Sequence, residues 1–193
     1  MQRWTVVGDS NGIQRACIVI ELALIAREID RALDRASTEL TTRNITISHH
    51  DGNITEPKAE ITPAGDLLIA GKPVALTPAQ RKDVLAYRQQ LIEMGRQGIA
   101  VGRQGATLGL HAATEALAAA FSGQSEQQIR AHVEANASGI RQAADKMCAE
   151  MPALMASQQR LAAEVPPFKP YADLTPARIR QCRADVSKHG GDD

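Results

Sequence analysis

The sequence predicts an α+β fold in one domain over residues 1–193: an N-terminal helix, a small antiparallel β-meander, a long antiparallel helical hairpin with a glycine seam, and a short C-terminal helix. Three observations predict it. Apolar residues recur at steps of three and four between Ile18 and Leu40, which is the period of one helix face. From Asn44 to Leu76 the pattern changes to short alternating runs separated by turn residues, as strands and turns require. Beyond Thr77 two long helical patterns follow, over 78–122 and 126–164, with Ser122-Gly123 ending the first.

Residues 1–13 read as irregular because Gly8-Asp9-Ser10-Asn11-Gly12 is a cluster of helix breakers. The first helix is expected over 14–41. Ile18, Leu22, Ile25, Ile29, Leu33, Ala36 and Leu40 form its apolar stripe. Arg27, Glu28, Asp30, Arg31, Asp34, Arg35 and Glu39 form a solvated face with local ion pairs. The run from Ala16 to Ala26 superficially resembles the apolar core of a secretory signal, but Glu21 within it and Asp9 before it favour an amphipathic helix.

The meander is expected over 44–76. Asn44–Ser48 alternates and is rich in β-branched residues, Asp51-Gly52-Asn53 is a turn, and Ala59–Thr62 alternates again. Pro63-Ala64-Gly65-Asp66 is a second turn, Leu67–Ala70 a strand, Gly71-Lys72 a two-residue hairpin turn, and Pro73–Leu76 closes the set. So small a sheet needs a helix across one face. Thr77-Pro78-Ala79-Gln80 is a capping box with proline at the first helical position. Pro152 sits inside the second long helix and predicts a kink near 148–152. Pro166-Pro167 stops that helix, and Thr175-Pro176 starts a final one over 175–186.

The most informative pattern lies in the first long helix, where Gly95, Gly98, Gly102, Gly105 and Gly109 are spaced three, four, three, four. Each interior glycine costs a helix ~1 kcal/mol relative to alanine. Five cost on the order of 5 kcal/mol, comparable to a domain's net stability. Close approach of the second long helix, backbone to backbone, is the expected compensation. A second seam of Val84, Tyr87, Leu91, Met94, Val101 and Leu108 broadens the buried face. Small residues at this spacing also pair helices in membranes. However, Arg103 and Glu115 lie near the middle of residues 98–121, and each costs ~2.5–3.5 kcal/mol to insert. A helix that packs in water is therefore expected, and not a transmembrane one.

Composition narrows the function. Lys+Arg and Asp+Glu are 22 each, for a formal net charge of zero, so the basic excess of a nucleic-acid binder is missing. Trp4, Tyr87, Phe121, Phe168 and Tyr171 are the whole aromatic set, too few for a base-stacking platform. His49-His50-Asp51 is ligand-like, but adjacent strand residues point to opposite faces, so an exposed strand end is the better reading. His111 with Glu115 one turn later has the types for acid–base work but no nucleophile or third group beside it, and a packed or surface pair is favoured. Gly102-Arg103-Gln104-Gly105 follows no strand and precedes no Gly-Lys-Ser/Thr, so it is not a phosphate loop. The Arg27, Arg31 and Arg35 row is interleaved with acids and reads as solvated rather than as an anion site. No catalytic, metal or cofactor site is expected. Cys17, Cys148 and Cys182 fit no zinc spacing. A pairing of Cys148 with Cys182 across the proline-rich reversal is compatible with a hairpin, but spacing alone leaves it open beside three reduced thiols.

The run Ala59–Lys72 with Val74–Arg81, and the C-terminal Cys148, Pro152, Gln158-Gln159, Leu161-Ala162, Phe168-Lys169-Pro170-Tyr171 and Cys182, together resemble the YggN-like bacterial proteins, a family of unknown function. The resemblance covers about residues 38–185. It implies export to the periplasm, where disulfides persist, and hence a Cys148–Cys182 bridge. It also implies a signal peptide, which residues 1–20 do not display. The expected function is a periplasmic structural or protein-interaction module, with no enzyme activity and another protein as its partner. A homo-oligomer is compatible with this. The alternatives are an immunity-type inhibitor of an antibacterial toxin, a carrier of an apolar ligand, or an enzyme using His111 and Glu115.

Overall fold

The computed structural model describes residues 10–47, 56–122 and 126–188. Its elements in chain order are α1 (Ser10–Thr42), β1 (Ile45–Ile47), β2 (Ala59–Ile61), β3 (Leu67–Ile69), β4 (Lys72–Pro73), α2 (Pro78–Ser122), α3 (Glu126–Glu164), a 3₁₀ turn (Pro166–Tyr171) and α4 (Pro176–Lys188). The α+β class and the element order are those the sequence predicts. α1 begins earlier than expected. Asn11 and Gly12 fall in its first turn, where backbone N–H groups lack helical partners anyway and a breaker costs least.

The four strands form one antiparallel sheet in the order β1-β2-β3-β4. Ile61 pairs with Ile45 on one side and Leu67 on the other, so alternate apolar residues gather on one face. The last hairpin turns one residue earlier than expected. Ile69 pairs with Lys72, and Ala70 and Gly71 carry the two positive φ angles, 49° and 74°, of a primed turn. Gly71 takes the left-handed conformation freely, whereas Ala70 is held there by the register of the strands. Gly65 (φ 83°) lies beneath Leu85, whose Cγ would sit 2.5 Å from any added Cβ.

The capping box at the start of α2 forms as predicted. The Gln80 amide N–H reaches Thr77 Oγ1 at 3.2 Å, and the Thr77 N–H reaches Gln80 Oε1 at 2.9 Å. Gln80 Nε2 then donates to the Glu164 carbonyl at the end of α3, at 2.6 Å. One side chain therefore ties the first turn of α2 to the last turn of α3. Down the hairpin, Asp83 meets Arg160, Gln97 meets Glu150, and Gly98 faces Met147. The paired numbers rise on one helix as they fall on the other, which defines a regular antiparallel pair. α1 packs on α2 in the same antiparallel sense, with Leu40 beside Gly95 and both Asp30 and Asp34 taking Arg103. α3 runs unbroken through Pro152, which has no N–H to offer the carbonyl of Cys148 one turn back.

The core lies at one end. Ile47, Ala59, Ile61 and Leu67 of the sheet meet Val84 and Tyr87 of α2, Leu154 and Leu161 of α3, and Val165, Phe168 and Tyr171. Phe168 is fully buried. It packs edge-on against Tyr87 at 5.6 Å between ring centres, with Tyr171 at 6.4 Å. Three of the five aromatic residues therefore share one site. Arg88 is also buried there. Its Nη2 donates to the carbonyls of Leu40, Thr41 and Arg43, so a guanidinium caps the negative end of α1 and joins it to the head.

Away from the head, packing thins. Among the described residues Ile92 is the last fully buried one on α2, Cys148 the first on α3, and α1 has none. The glycine seam explains part of this and needs correction. α3 does not lie backbone to backbone along it. A Cβ on Gly95 would fall 2.8 Å from Leu40 of α1, and one on Gly102 would fall 3.8 Å from Leu33 of α1. On Gly98 it would reach only the tip of Met147 of α3, at 4.0 Å, and on Gly105 or Gly109 it would meet nothing. Gly98, Gly102 and Gly109 are exposed. α2 has neighbours on two sides, and the glycine stripe runs past the edge of both, so only Gly95 marks a close approach.

That geometry separates the five positions. Gly105→Ala and Gly109→Ala remove backbone freedom from the unfolded chain without touching anything. Each is expected to stabilise the protein by about 0.5–1 kcal/mol. Gly95→Ala must displace Leu40 and is expected to stabilise less or to destabilise. Urea midpoints of the three variants test this, and equal gains at all three positions would contradict the contact at Gly95.

Candidate functional site

A groove of about 660 Å³ lies between β1, α2, α3 and α4, a size that suits a ligand or peptide segment. Helical spacing builds three of its walls. Tyr87, Leu91 and Met94 recur at four and three along α2. Met151, Leu154 and Gln158 recur at three and four along α3. Arg178, Cys182 and Asp185 do so along α4, joined by Gln181. Each set is one face of its helix. The fourth wall is Ile45, Thr46 and Ile47 of β1, and Asp173 and Leu174 close the end.

The floor is apolar with one polar group set into it. Gln158 is buried, donates from Nε2 to the Tyr171 carbonyl at 2.9 Å and to the Tyr87 hydroxyl at 3.3 Å, and accepts the Leu174 N–H on Oε1 at 2.9 Å. A buried amide satisfied on both ends fixes its surroundings. It holds the 3₁₀ turn and the start of the α4 connection against α2 and α3. The Tyr171 hydroxyl donates to the Pro57 carbonyl at 2.5 Å, which ties the same turn to the sheet. Burial pushes the Tyr87 hydroxyl up to about 12, the Gln158 hydrogen bond opposes this, and the charge of Asp173 adds to it. Burial, and then the charge of Glu56, also raises Tyr171. At the rim Asp173 pairs with Arg178 at 3.8 Å, and Gln181 donates to Asp185 at 2.7 Å.

A disulfide between Cys148 and Cys182 locks the wall that α4 supplies. The Cα atoms are 5.8 Å apart, an ordinary spacing for a bridge. Cys148 is buried on α3, and Cys182 lines the groove. Ile179 is the one buried residue of α4, so the covalent link carries much of that helix's attachment. Cys17 is a free, exposed thiol on α1. Outside the head, α1 presents Val19, Ile20, Leu24 and Ile25 more than half exposed.

The other residues singled out in the sequence lie apart from the groove. His111 is exposed on α2, and neither it nor Glu115 lines the groove. His49-His50-Asp51 falls outside the described residues. Among the described residues no group of three or more His, Cys, Asp or Glu side chains could hold a metal ion, and no helix is long and apolar enough to cross a membrane. Arg31 and Arg35 both pair with Glu28 on the exposed face of α1, as a solvated row should. The seam glycines line no wall of the groove. Nothing in the sequence pointed to the groove itself, because its walls come from four segments whose apolar faces read as ordinary core. No family model, curated protein or solved structure matches this chain.

Two measurements test this construction. Native protein should titrate one thiol and reduced, unfolded protein three. Replacing Cys148 and Cys182 with serine should cost roughly 3–4 kcal/mol in the chain-entropy model, read from urea unfolding. Tyr87 gives a pH signature. Its folded value lies above the ordinary value of about 10, so its contribution is complete below ~pH 10 and is lost as pH rises toward 12. The Tyr87→Phe variant should therefore lose less stability than the parent between ~pH 10 and 12, with Tyr171 leaving a residual slope. Identical alkaline profiles would show that Tyr87 is not buried as described.

Proposed function

We propose that this chain is a protein-interaction module of an oxidising compartment, and that the groove between β1, α2, α3 and α4 is its binding face. One observation carries the reading: an apolar groove of about 660 Å³ has one wall fastened by a disulfide and a floor fastened by a buried amide network. Pre-organisation of this kind lowers the cost of binding, because the walls lose little freedom when a partner arrives. The lining is apolar within and polar at the rim, the usual anatomy of a recognition site. The disulfide supports an oxidising location. The periplasm is the compartment that the similarity to YggN-like proteins implies. The reading is one of binding and assigns the chain no reaction. The apolar lining also suits a second reading, a carrier of an apolar ligand. Inhibition of a toxin would be one use of the same protein-binding face.

Photo-crosslinking in the native compartment tests the proposal. A crosslinking residue at Thr46, on the groove, should trap a protein that one at Lys72, on the far edge of the sheet, does not. That protein, once identified and purified, should bind the purified chain. It should bind the Met94→Arg variant at least about tenfold more weakly, with the variant's thermal transition retained. Equal trapping at both positions, or binding indifferent to Met94→Arg, would reject the groove as the interface.

A further inference from the structure

The hydrogen bonds in the groove floor leave a donor unspent. Gln158 cannot be turned round, because its Oε1 accepts the Leu174 N–H at 2.9 Å and its Nε2 donates to the Tyr171 carbonyl at 2.9 Å. The second Nε2 proton therefore goes to the Tyr87 hydroxyl at 3.3 Å, and that hydroxyl acts as an acceptor. Its own proton is left to donate elsewhere, and among the described residues nothing accepts it. Tyr87 is only 2% exposed, and both it and Gln158 line the groove. Steps of four and three on α2, from Tyr87 to Leu91 to Met94, match steps of four and three in the reverse direction on α3, from Gln158 to Leu154 to Met151. Antiparallel pairing thus builds the floor in three rungs. One polar rung with an unspent donor is followed by two apolar ones, over about 10 Å at ~1.5 Å per residue.

We propose that the occupant of the groove is a peptide segment of a partner protein, which accepts the Tyr87 hydroxyl on a main-chain carbonyl and lays apolar side chains over Leu91, Leu154, Met94 and Met151. The proposal rests on the groove's being the binding face. An occupant that fills the groove excludes solvent from its floor. It must then bring an acceptor to Tyr87, since a buried donor left unsatisfied costs more than a hydrogen bond gains. A hydrocarbon chain brings none. A carboxylate would accept the proton, but the charge of Asp173, which already opposes ionisation of Tyr87, opposes a second negative charge beside it. A peptide carries a neutral carbonyl at every residue. Three extended residues span about 10 Å, the length of the floor, so one carbonyl and the side chains beside it cover all three rungs. The two methionines can adjust to different apolar side chains.

The test uses the full chain with its disulfide intact and a displayed library of random decapeptides. Selection should enrich peptides with clustered apolar residues, and Met94→Arg should lose them. The best peptide is then synthesised with each carbonyl oxygen in turn replaced by sulfur, a weaker acceptor. At one position the change should weaken binding to the parent protein about threefold to tenfold, the worth of one hydrogen bond. In the Tyr87→Phe variant, with its thermal transition retained, the same change should have no effect. A merely structural role for Tyr87 would weaken every peptide alike and leave no such coupling. Should that variant unfold, 3-fluorotyrosine at position 87, a stronger donor, supplies the second leg and should enlarge the same difference. If no peptide is enriched, if no carbonyl couples to Tyr87, or if palmitate or palmitamide binds the groove and the peptides do not, the proposal is wrong. Met94→Arg separates that failure from failure of the groove. Binding lost in this variant without coupling to Tyr87 keeps the groove as the binding face, and binding retained removes both.

Discussion

The fold turns on the amide of Gln158. It stands where α2, α3 and the 3₁₀ turn meet, and it satisfies the Tyr171 carbonyl, the Leu174 N–H and the Tyr87 hydroxyl at once. Without it those three groups would lose the bonds it makes to them. Leaving a buried donor or acceptor unsatisfied costs about 1–3 kcal/mol. The network also decides direction. Because Gln158 grips both Tyr171 and Leu174, the chain leaving α3 must reverse there, with Phe168 pointed into the core. That reversal brings α4 back along α3, places Cys182 beside Cys148, and opens the groove between α4 and the sheet.

Away from that point the structure is held by less. Side chains long enough to be buried give way on α2 to Gly98, Gly102, Gly105 and Gly109, and beyond Ile92 no described residue of α2 is fully buried. Contacts there are made by polar reach: Arg103 forks onto Asp30 and Asp34 of α1 at 2.6 and 2.7 Å, and Gln97 spans to Glu150 of α3 at 2.8 Å. The exposed Arg103 pairs contribute little each. Stability is therefore concentrated where the sheet and the aromatic residues are. Arg88 carries α1 across the boundary by taking three carbonyls of its C-terminal end.

Much of the architecture was legible because it is local. The capping box at Thr77–Gln80, the start of α4 at Pro176 and both ends of α3 follow from short-range chemistry. The hairpin was misplaced by one residue because Gly71 looked like its first turn position, whereas strand register put Ala70 there. The glycine seam was misread for a different reason. Spacing shows that small residues share a helix face, but not which neighbour, if any, occupies it. On α2 that face passes from Leu40 and Leu33 of α1 into open space. Arg88 was likewise invisible, since nothing in its surroundings along the chain marks a buried cation whose partners lie 45 to 48 residues away.

The groove was illegible for the same reason, and its existence has a consequence for the disulfide. α4 has thirteen residues and buries one of them, Ile179. A helix so lightly packed would drift from the head if apolar contact alone held it. The bridge to Cys148 substitutes a covalent bond for burial that the sequence of α4 does not supply. Filling the space with large side chains would have fastened α4 equally well, but it would have closed the cleft beside β1. A covalent anchor keeps α4 at a fixed distance while Leu91, Met94, Met151 and Leu154 stay uncovered on its inner side. The bond is therefore better understood as a spacer than as a source of stability alone.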